Sequence, residues 1–394
     1  MEFQIYHQLG FRHTWNIDSI NTNNTGDGII VSPKHICPED VEGLNFPANK
    51  TIFDPQFFIP SDSPGKLSEY PFFPNQTVED FSTESYKPID VETIAEGCIQ
   101  FQIDNDFEYI VIPGRPYGNN PQEYIAEQEK CFINPFCAKL SSMPHQQPVI
   151  LQVIVNNHYL LNTDYFDEIL NWVTSLDGIA GIYLIVDADY KTKQIEDTNF
   201  LLALLKFINI LSEYNGMTVI VGYCNLEALL LTIAGPSVIT LGSYENTRRF
   251  NVQNFVEEQE DRIIRGPVPR IYMSQLIQLI DYRYKDSIES EFGSEYFDFN
   301  EYQATMFEPE YNWHFQKSEL YKHFFLVFSI QLHQLSGVSL IERYYQVKDM
   351  FQSAIDTFET MESLISFSKE SRGDHLPMWL TAANRFAKHK GWIK

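Results

Sequence analysis

Eight short apolar runs recur between residues 27 and 280, and most of them are followed by a stretch in which apolar residues have helical spacing. Runs that are dense in Ile, Val and Phe and end in Pro, Gly or polar clusters are typical of strands buried in a parallel sheet. Their regular alternation with helices predicts a (β/α)8 barrel. The runs are GDGIIVSPKHI, KTIFDPQFFIP, EYIVIPGRPYG, PVILQVIVNN, GIAGIYLIVDADY, TVIVGYCN, SVITLGSYENTR and VPRIYMSQLIQLI.

The pattern divides the chain into regions. The barrel is predicted at 27–300, after an N-terminal extension at 1–26. Weak periodicity and frequent Pro, Ser and Tyr predict a long excursion over the barrel mouth at 61–105. From 313 to 394 the pattern is purely helical and predicts a C-terminal α-helical domain. A doubly wound open sheet is the competing architecture, but its usual glycine fingerprint after a first strand does not occur.

The charge, the apolar content and the cysteine pattern of the chain disfavour several classes of binding partner and location. The chain of 394 residues has a formal net charge of -25, which disfavours nucleic acid and anionic lipid because binding them requires clustered Lys and Arg. No basic and apolar leader opens the sequence, and no window reaches the roughly 18 apolar residues of a membrane span. The five cysteines are scattered, without a CxxC pair. These features predict a cytoplasmic protein without a membrane partner.

Carboxyl groups follow several of the predicted strands, and strand exits meet at one mouth of such a barrel. Asp187 and Asp189 follow the run IYLIV and, as alternate residues of an extended chain, point the same way. A carboxyl group at an apolar strand exit can have a raised pKa and act as an acid, while a neighbour in polar surroundings stays ionised. We expect Asp187 to be the main catalytic carboxylate, with Asp54 or Glu245 as the second. The alternative is structural, with Asp189 as a cap and Asp187 bound to backbone amides or to Lys191.

Asp54 lies between aromatic residues in FDPQFF, where an unpaired charge would be costly. It therefore requires a donor, and Arg115, Lys34 or a substrate hydroxyl would serve. The alternative is an Asp-Pro turn, in which the carboxylate accepts from the backbone two residues further on.

Other strand exits carry groups suited to holding a ligand. Arginine binds anionic or oxygen-rich groups, and amides and phenols orient a sugar or a nucleobase edge. A glycine and a hydroxyl after the seventh run are typical of a phosphate site. The predicted substrate-binding residues are Gln56, Arg115, Asn156, Asp189, Tyr223 and Arg248, and the predicted phosphate-binding residues are Gly242 and Ser243.

The ordered strand exits resemble those of TIM-barrel enzymes over about residues 27 to 290. The retaining glycosidases of this superfold carry Asn-Glu after strand four and Glu after strand seven; Glu245 stands at the second position, and Asn156-Asn157 replaces the first pair. The transglycosylases that act on tRNA guanine use paired aspartates, to which Asp54 and Asp187 are similar in kind, but their glycine-rich motifs and zinc ligands do not occur.

These resemblances imply a hydrolase or transferase. The leading hypothesis is an enzyme that cleaves or transfers at a glycosidic or N-glycosidic bond of a sugar-like or nucleotide-like small molecule, using paired carboxylates. The alternative is a noncatalytic barrel subunit of a bacterial multiprotein assembly, for example a defence system, that binds protein partners through its C-terminal helices. No cofactor is predicted, although Asp54, Asp187 and Asp189 would suit a divalent metal such as Mg²⁺. The oligomeric state stays open.

Overall fold

The computed structural model describes residues 2–77, 88–190, 192–257 and 266–394. Within these ranges, eight parallel strands form one sheet in the order β3-β2-β1-β8-β7-β6-β5-β4. This is the order of a (β/α)8 barrel cut between β3 and β4, so the predicted fold class is confirmed. The strands are β1 (Gln4–Gln8), β2 (Gly28–Val31), β3 (Thr51–Phe53), β4 (Ile110–Ile112), β5 (Val149–Asn156), β6 (Gly181–Asp187), β7 (Thr218–Gly222) and β8 (Val238–Gly242).

The barrel is nearly closed at the junction between β3 and β4. No ladder joins these two strands in the sheet, but the Glu108 amide donates to the Thr51 carbonyl at 2.9 Å. The Phe53 and Phe107 rings stack beside this bond, with their centroids 5.7 Å apart, and Phe101 packs against both. Aromatic packing therefore covers the gap that the backbone leaves.

The first barrel strand lies in the segment predicted as an extension before the barrel. Strand β1 pairs with β2 on one side and with β8 on the other, so it is central in the sheet. Its sequence QIYHQ is not a continuous apolar run, yet His7 and Gln8 are buried. The His7 ring bonds to the Thr25 hydroxyl, and Gln8 Oε1 accepts from the Tyr183 hydroxyl at 2.9 Å. These bonds lower the cost of burying the polar groups, although Gln8 Nε2 has no partner in the described ranges.

The eighth predicted run is not a barrel strand. It forms an antiparallel hairpin of β9 (Arg270–Met273) and β10 (Gln278–Asp281) outside the eight-stranded sheet. A turn divides the run, and Ile277 within it takes a φ of 47°, which an L-residue in a strand does not adopt. The predicted runs one to seven become β2 to β8.

Helices cover the barrel and form the C-terminal part of the chain. The helices in the described ranges are α1 (Thr14–Asn23), α2 (Pro74–Thr77), α3 (Pro88–Asp104), α4 (Pro121–Gln128), α5 (Asn134–Leu140), α6 (Asn157–Leu161), α7 (Thr163–Ser175), α8 (Thr198–Asn209), α9 (Ala228–Leu231), α10 (Glu245–Arg248), α11 (Lys285–Phe292), α12 (Glu301–Met306), α13 (Glu319–Leu335), α14 (Leu340–Glu362) and α15 (Leu376–His389). None of them has both the length and the apolar content that crossing a lipid bilayer requires.

The predicted excursion at 61–105 contains a helix that the sequence pattern did not reveal. Helix α3 connects β3 to β4 and packs against α5. Gly97 interrupts the apolar pattern of this helix. Glycine stands there because a β-carbon at this position would lie 2.7 Å from the Phe72 β-carbon. The part of the excursion at 78–87 lies outside the described residues.

The C-terminal helices pack against the barrel. Helix α15 contacts α8 and α14, and the Trp379 indole donates to the Ile195 carbonyl at 2.8 Å. The buried Arg343 guanidinium donates to the Thr232 carbonyl at 2.8 Å. Most of the aromatic residues of these helices belong to the core: Phe324, Phe325, Phe328 and Tyr344 are buried, whereas Tyr345 is exposed. The predicted division into domains and the predicted binding of protein partners by these helices stay predictions.

The position of β1 can be tested at Ile5, which is fully buried. We expect Ile5→Ala to lower the free energy of unfolding by about 2–5 kcal/mol, because it removes buried methyl groups and leaves a cavity. Urea unfolding followed by circular dichroism measures this change. The matched control is Ile330→Ala, since Ile330 is 49% exposed and should change the free energy by less than about 0.5 kcal/mol. Equal effects of the two substitutions would contradict the central place of β1.

Candidate functional site

The barrel interior holds a hydrogen-bonded network around Asp54, which directly follows β3 and is fully buried. The Asp54 carboxylate accepts hydrogen bonds from the Gln152 amide and the Tyr223 hydroxyl, each at 2.8 Å. It also accepts from the Gln56 backbone amide at 3.3 Å, which is the bond expected of an Asp-Pro turn. We call this group the interior network. Its members are Gln8, Asp54, Gln56, Gln152, Tyr183 and Tyr223.

Gln56 is fixed by contacts on both sides of its amide. Its Oε1 accepts from the Lys34 backbone amide at 3.0 Å, and its Nε2 donates to the Ser32 hydroxyl at 2.8 Å and to the Tyr223 hydroxyl at 3.1 Å. The structure therefore brings the predicted residues Asp54, Gln56 and Tyr223 together. They are buried, so in this structure they hold the barrel interior and do not face solvent. Neither Arg115 nor the Lys34 side chain is a donor to Asp54.

Burial changes the ionisation of this network. It raises the pKa of Asp54 to about 6, although the hydrogen bonds from Tyr223, Gln152 and Gln56 favour the charged form and oppose the shift. The same burial raises the pKa of Tyr183 and Tyr223 well above the ordinary value. Both phenols therefore keep their protons and remain donors to the carboxylate.

Two predicted ligand-binding residues are engaged by the protein itself. Arg115, which is buried, forms an ion pair with Glu127 and lies over the Tyr117 ring, 4.7 Å from its centroid. Asn156 ends β5, and its side chain caps α6 by accepting from the Tyr159 amide at 2.9 Å. These contacts explain both residues structurally, and their predicted contact with substrate stays a prediction.

Asp187 and Asp189 lie at the carboxyl end of β6. Asp187 is half-buried and Asp189 is exposed. Burial raises the pKa of Asp187, the negative charge of Asp189 raises it further, and the Arg249 guanidinium opposes the shift. The Asp189 backbone amide donates to the Asn157 side chain at 2.9 Å, which holds the loop after β6 against the loop after β5.

Glu245 begins α10, directly after β8. Its carboxylate forms ion pairs with Lys193 and, at 3.4 Å, with Arg249. Burial alone would raise the pKa of Glu245, but the bond and charge of Lys193, helped by Arg248 and Arg249, outweigh it, and this pKa lies below its ordinary value. Arg249 therefore acts on both predicted carboxylates: it bonds to Glu245 and opposes the pKa rise of Asp187.

A cleft of about 280 Å³ opens beside Glu245. It lies between the exits of β6, β7 and β8 on one side and the hairpin and α13 on the other, and we call it the β8 cleft. Its side walls include the aromatic residues Tyr321 and Phe324 of α13. Its polar and charged lining residues are Lys193, Gln194, Asn225, Ser243, Tyr244, Glu245, Arg248, Arg270, Gln278, Tyr321 and Glu370.

Three residues of the β8 cleft have polar atoms without a hydrogen-bond partner in the described ranges. They are Asn225 Oδ1, Ser243 Oγ and Arg248 Nε. The Arg248 side chain lies over the Phe324 ring, 5.0 Å from its centroid, and burial lowers the pKa of its guanidinium to about 10. Buried polar groups without partners cost stability in a folded protein and call for an explanation.

Of the two predicted phosphate-binding residues, Ser243 lines this cleft, whereas Gly242 does not. Gly242 ends β8, and a β-carbon there would collide with the Thr247 backbone, so glycine is required for the tight return into α10. Ser243 follows it and is fully buried. The structure thus brings Ser243, Glu245 and Arg248 to one cavity, whereas Asp54, Arg115 and Asn156 do not line it.

Sequence reasoning missed part of this region. Glu227 follows β7 and is buried, and this burial raises its pKa to about 7. The hydrogen bond that it accepts from the Asn225 backbone amide and the positive charge of Arg248 both oppose this rise. Lys193 lies in the loop after β6, and only its ion pair with Glu245 shows that it belongs to this region.

Tyr321 and Phe324 belong to α13, and no local pattern could have placed that helix at the barrel mouth. Gln152 was detectable as a polar residue inside an apolar run.

The carboxylates proposed for magnesium do not form a cluster. Among the described residues, a group of three ligand-bearing side chains occurs at Cys37, Glu39 and Glu69, with ligand atoms within 4.8 Å of one another. Two of these residues are exposed acidic groups outside the β8 cleft. Use of a divalent metal stays a prediction.

The raised pKa of Asp54 predicts a pH-dependent stability. Since the folded protein holds this proton more tightly than the unfolded chain, the stabilising effect is present at low pH and is lost as the pH rises from about 4 to about 6. A shift from 3.8 to about 6 corresponds to about 3 kcal/mol. We therefore expect the unfolding free energy of wild type minus that of Asp54→Asn to fall by about 3 kcal/mol between pH 3 and pH 7.

Urea unfolding at unit steps of pH measures this difference. The control is Asp177→Asn, because Asp177 is exposed and lies in the loop before β6, at the opposite end of the barrel. Its difference from wild type should stay within about 0.5 kcal/mol. A difference for Asp54→Asn that does not change with pH would refute the raised pKa.

Comparison with known proteins supplies no relative on which function could be based. No protein-family model matches the chain, and no curated protein matches it in sequence. Function is therefore inferred from the barrel and from the residues at its mouth.

Proposed function

We propose that this protein cleaves or transfers at a glycosidic or N-glycosidic bond, with Asp187 as the acid and Glu245 as the second carboxylate. The observation that carries the proposal is that both carboxylates interact with Arg249 at the mouth of the barrel and have opposite pKa shifts. Pairs of carboxyl groups whose environments separate their pKa values are suited to acid and base roles. Asp54 is buried in the interior network, which favours Glu245 as the partner.

The roles follow from the two environments. Asp187, whose pKa is raised by burial, keeps its proton to higher pH and gives it to the leaving oxygen or nitrogen as the bond to the sugar breaks. Glu245, held ionised by Lys193, removes a proton from the attacking water or hydroxyl group. The new bond joins that oxygen to the anomeric carbon, and the proton donated by Asp187 leaves with the departing group.

The β8 cleft supplies a place for the sugar. Its volume of about 280 Å³ lies at the low end of ligand pockets, so it suits a ligand of about one sugar ring. Tyr321 and Phe324 offer apolar surface to one side of the ring, and the polar strand exits face the other. Glu245 lines this cleft directly, and Asp187 stands outside it at the end of β6. The proposal therefore requires the bond that is cleaved to lie between the cleft and the end of β6.

Substitution of either carboxylate should abolish most of the activity. We expect Asp187→Asn and Glu245→Gln each to lower kcat/KM by about 100-fold or more, as loss of a general acid or base does. Release of nitrophenol from 4-nitrophenyl glycosides, and of free base from nucleosides, measures the reaction. Asp177→Asn is the matched control and should keep full activity.

The pH dependence separates the two roles. Activity should fall on the alkaline side as Asp187 loses its proton and on the acidic side as Glu245 gains one. Asp187→Asn should remove the alkaline limb from its residual activity, and Glu245→Gln the acidic limb. Turnover by both variants with an unchanged pH profile would eliminate this assignment. No turnover by wild type on either substrate group would count against the proposed bond specificity.

A further inference from the structure

Among the described residues that line the β8 cleft, Arg248 is the one cationic side chain without an ion pair. Lys193 is paired with Glu245, and Arg270 with Glu370. Among the residues that the structure describes, Arg248 Nε has no hydrogen-bond acceptor, and the guanidinium lies over the Phe324 ring, 5.0 Å from its centroid. The carboxylates of Glu245 and Glu227 act on its charge through space.

Neutral groups without partners stand beside it. Ser243 is fully buried, and Asn225 is 5% exposed; Ser243 Oγ and Asn225 Oδ1 have no partner in the described ranges. The orientation of the Asn225 amide is fixed, because its Nδ2 donates to the Lys193 carbonyl at 3.0 Å and to Gln194 Oε1 at 3.1 Å. Its Oδ1 is therefore left as an acceptor for a hydroxyl group.

The remaining amides of the cleft are already satisfied. Gln278 donates to the Arg372 carbonyl at 2.6 Å and accepts from the Leu279 amide at 2.9 Å, and Gln194 bonds to Asn225. Among the described residues that line the cleft, the polar atoms left without a partner are thus Arg248 Nε, Ser243 Oγ and Asn225 Oδ1. A guanidinium and a hydroxyl donate to an oxyanion, whereas an amide oxygen accepts from a ligand hydroxyl.

We infer that the β8 cleft binds the oxyanion of a monosaccharide-sized ligand, a sugar phosphate or a sugar acid, with Arg248 and Ser243 holding the oxyanion and Asn225 a sugar hydroxyl. This inference rests on the proposed function in naming the class of substrate that Asp187 and Glu245 would act on. The binding itself requires neither carboxylate. The negative charge of Glu245 is compensated by its ion pairs with Lys193 and Arg249, so it does not repel the ligand as an unpaired carboxylate would.

Isothermal titration calorimetry with ribose 5-phosphate, glucuronate and ribose tests the inference. Wild type should bind at least one of the two anionic sugars about tenfold or more tightly than ribose, and Arg248→Gln should weaken that binding about tenfold or more, since hydrogen bonds to charged groups are among the strong ones. Comparison of the affinities for ribose 5-phosphate and glucuronate identifies whether the cleft prefers a phosphate or a carboxylate. The control is Arg283→Gln, which removes the same charge from a side chain that is 62% exposed and outside the cleft.

Two further variants keep the test decisive. Arg248→Lys retains the charge and should bind better than Arg248→Gln, and Ser243→Ala removes only a hydroxyl and should weaken binding to a smaller extent. Equal binding by wild type and all Arg248 variants, or no preference of wild type for either anionic sugar over ribose, would overturn the inference.

Asp187→Asn separates this inference from the proposed function. It should bind the anionic sugar as wild type does, because Asp187 does not line the cleft. Anion binding that depends on Arg248, without any glycoside turnover, would refute the proposed function alone. Turnover of neutral glycosides that does not change when Arg248 is substituted would refute only the inference that the substrate is anionic.

Discussion

The buried carboxylate of Asp54 is the constraint on which the barrel interior depends. A charge in that position is tolerable only with several donors, and they come from residues far apart in sequence, Gln152 on β5 and Tyr223 after β7. The bond to Gln152 crosses from β3 to β5 at the place where no ladder joins β3 to β4. One side chain thereby connects the β3 end of the sheet to β5, the strand next to β4. The stacked Phe53 and Phe107 rings lie at the junction between β3 and β4.

The mouth of the barrel follows a different physical rule from its interior. Inside, polar groups are neutral or hydrogen-bonded, and burial decides their pKa values. At the mouth, half-exposed charges act on each other, and Lys193 and Arg249 lower the pKa of Glu245 while Asp189 adds to the rise of the pKa of Asp187. Two carboxylates of the same chemistry thus acquire opposite tendencies, which is the basis of acid and base chemistry on one scaffold.

Local pattern predicted most of the barrel, and its errors have a common physical cause. Strands β5 and β6 are apolar runs apart from Gln152 and their last residues, Asn156 and Asp187, so their burial was readable from the residues alone. Strand β1 was not readable, because His7 and Gln8 are buried through partners on α1, on the loop before β2 and on β6. The hairpin of β9 and β10 was apolar enough to resemble a barrel strand, and only the turn at Ile277 excludes it. Pairing and turns depend on residues outside the run that they affect.

The sequence by itself determined that strands and helices alternate, that Asp187, Ser243, Glu245 and Arg248 follow strands, and that Asp54 needs donors. Covalent order and the period of the apolar residues are enough for these conclusions. Only the tertiary structure decided which groups share a cavity: it placed Tyr321 and Phe324 of α13 beside Ser243 and Arg248, and it enclosed Asp54 in the barrel. The physical reason is that burial and electrostatic coupling depend on distances between segments, which local pattern does not contain.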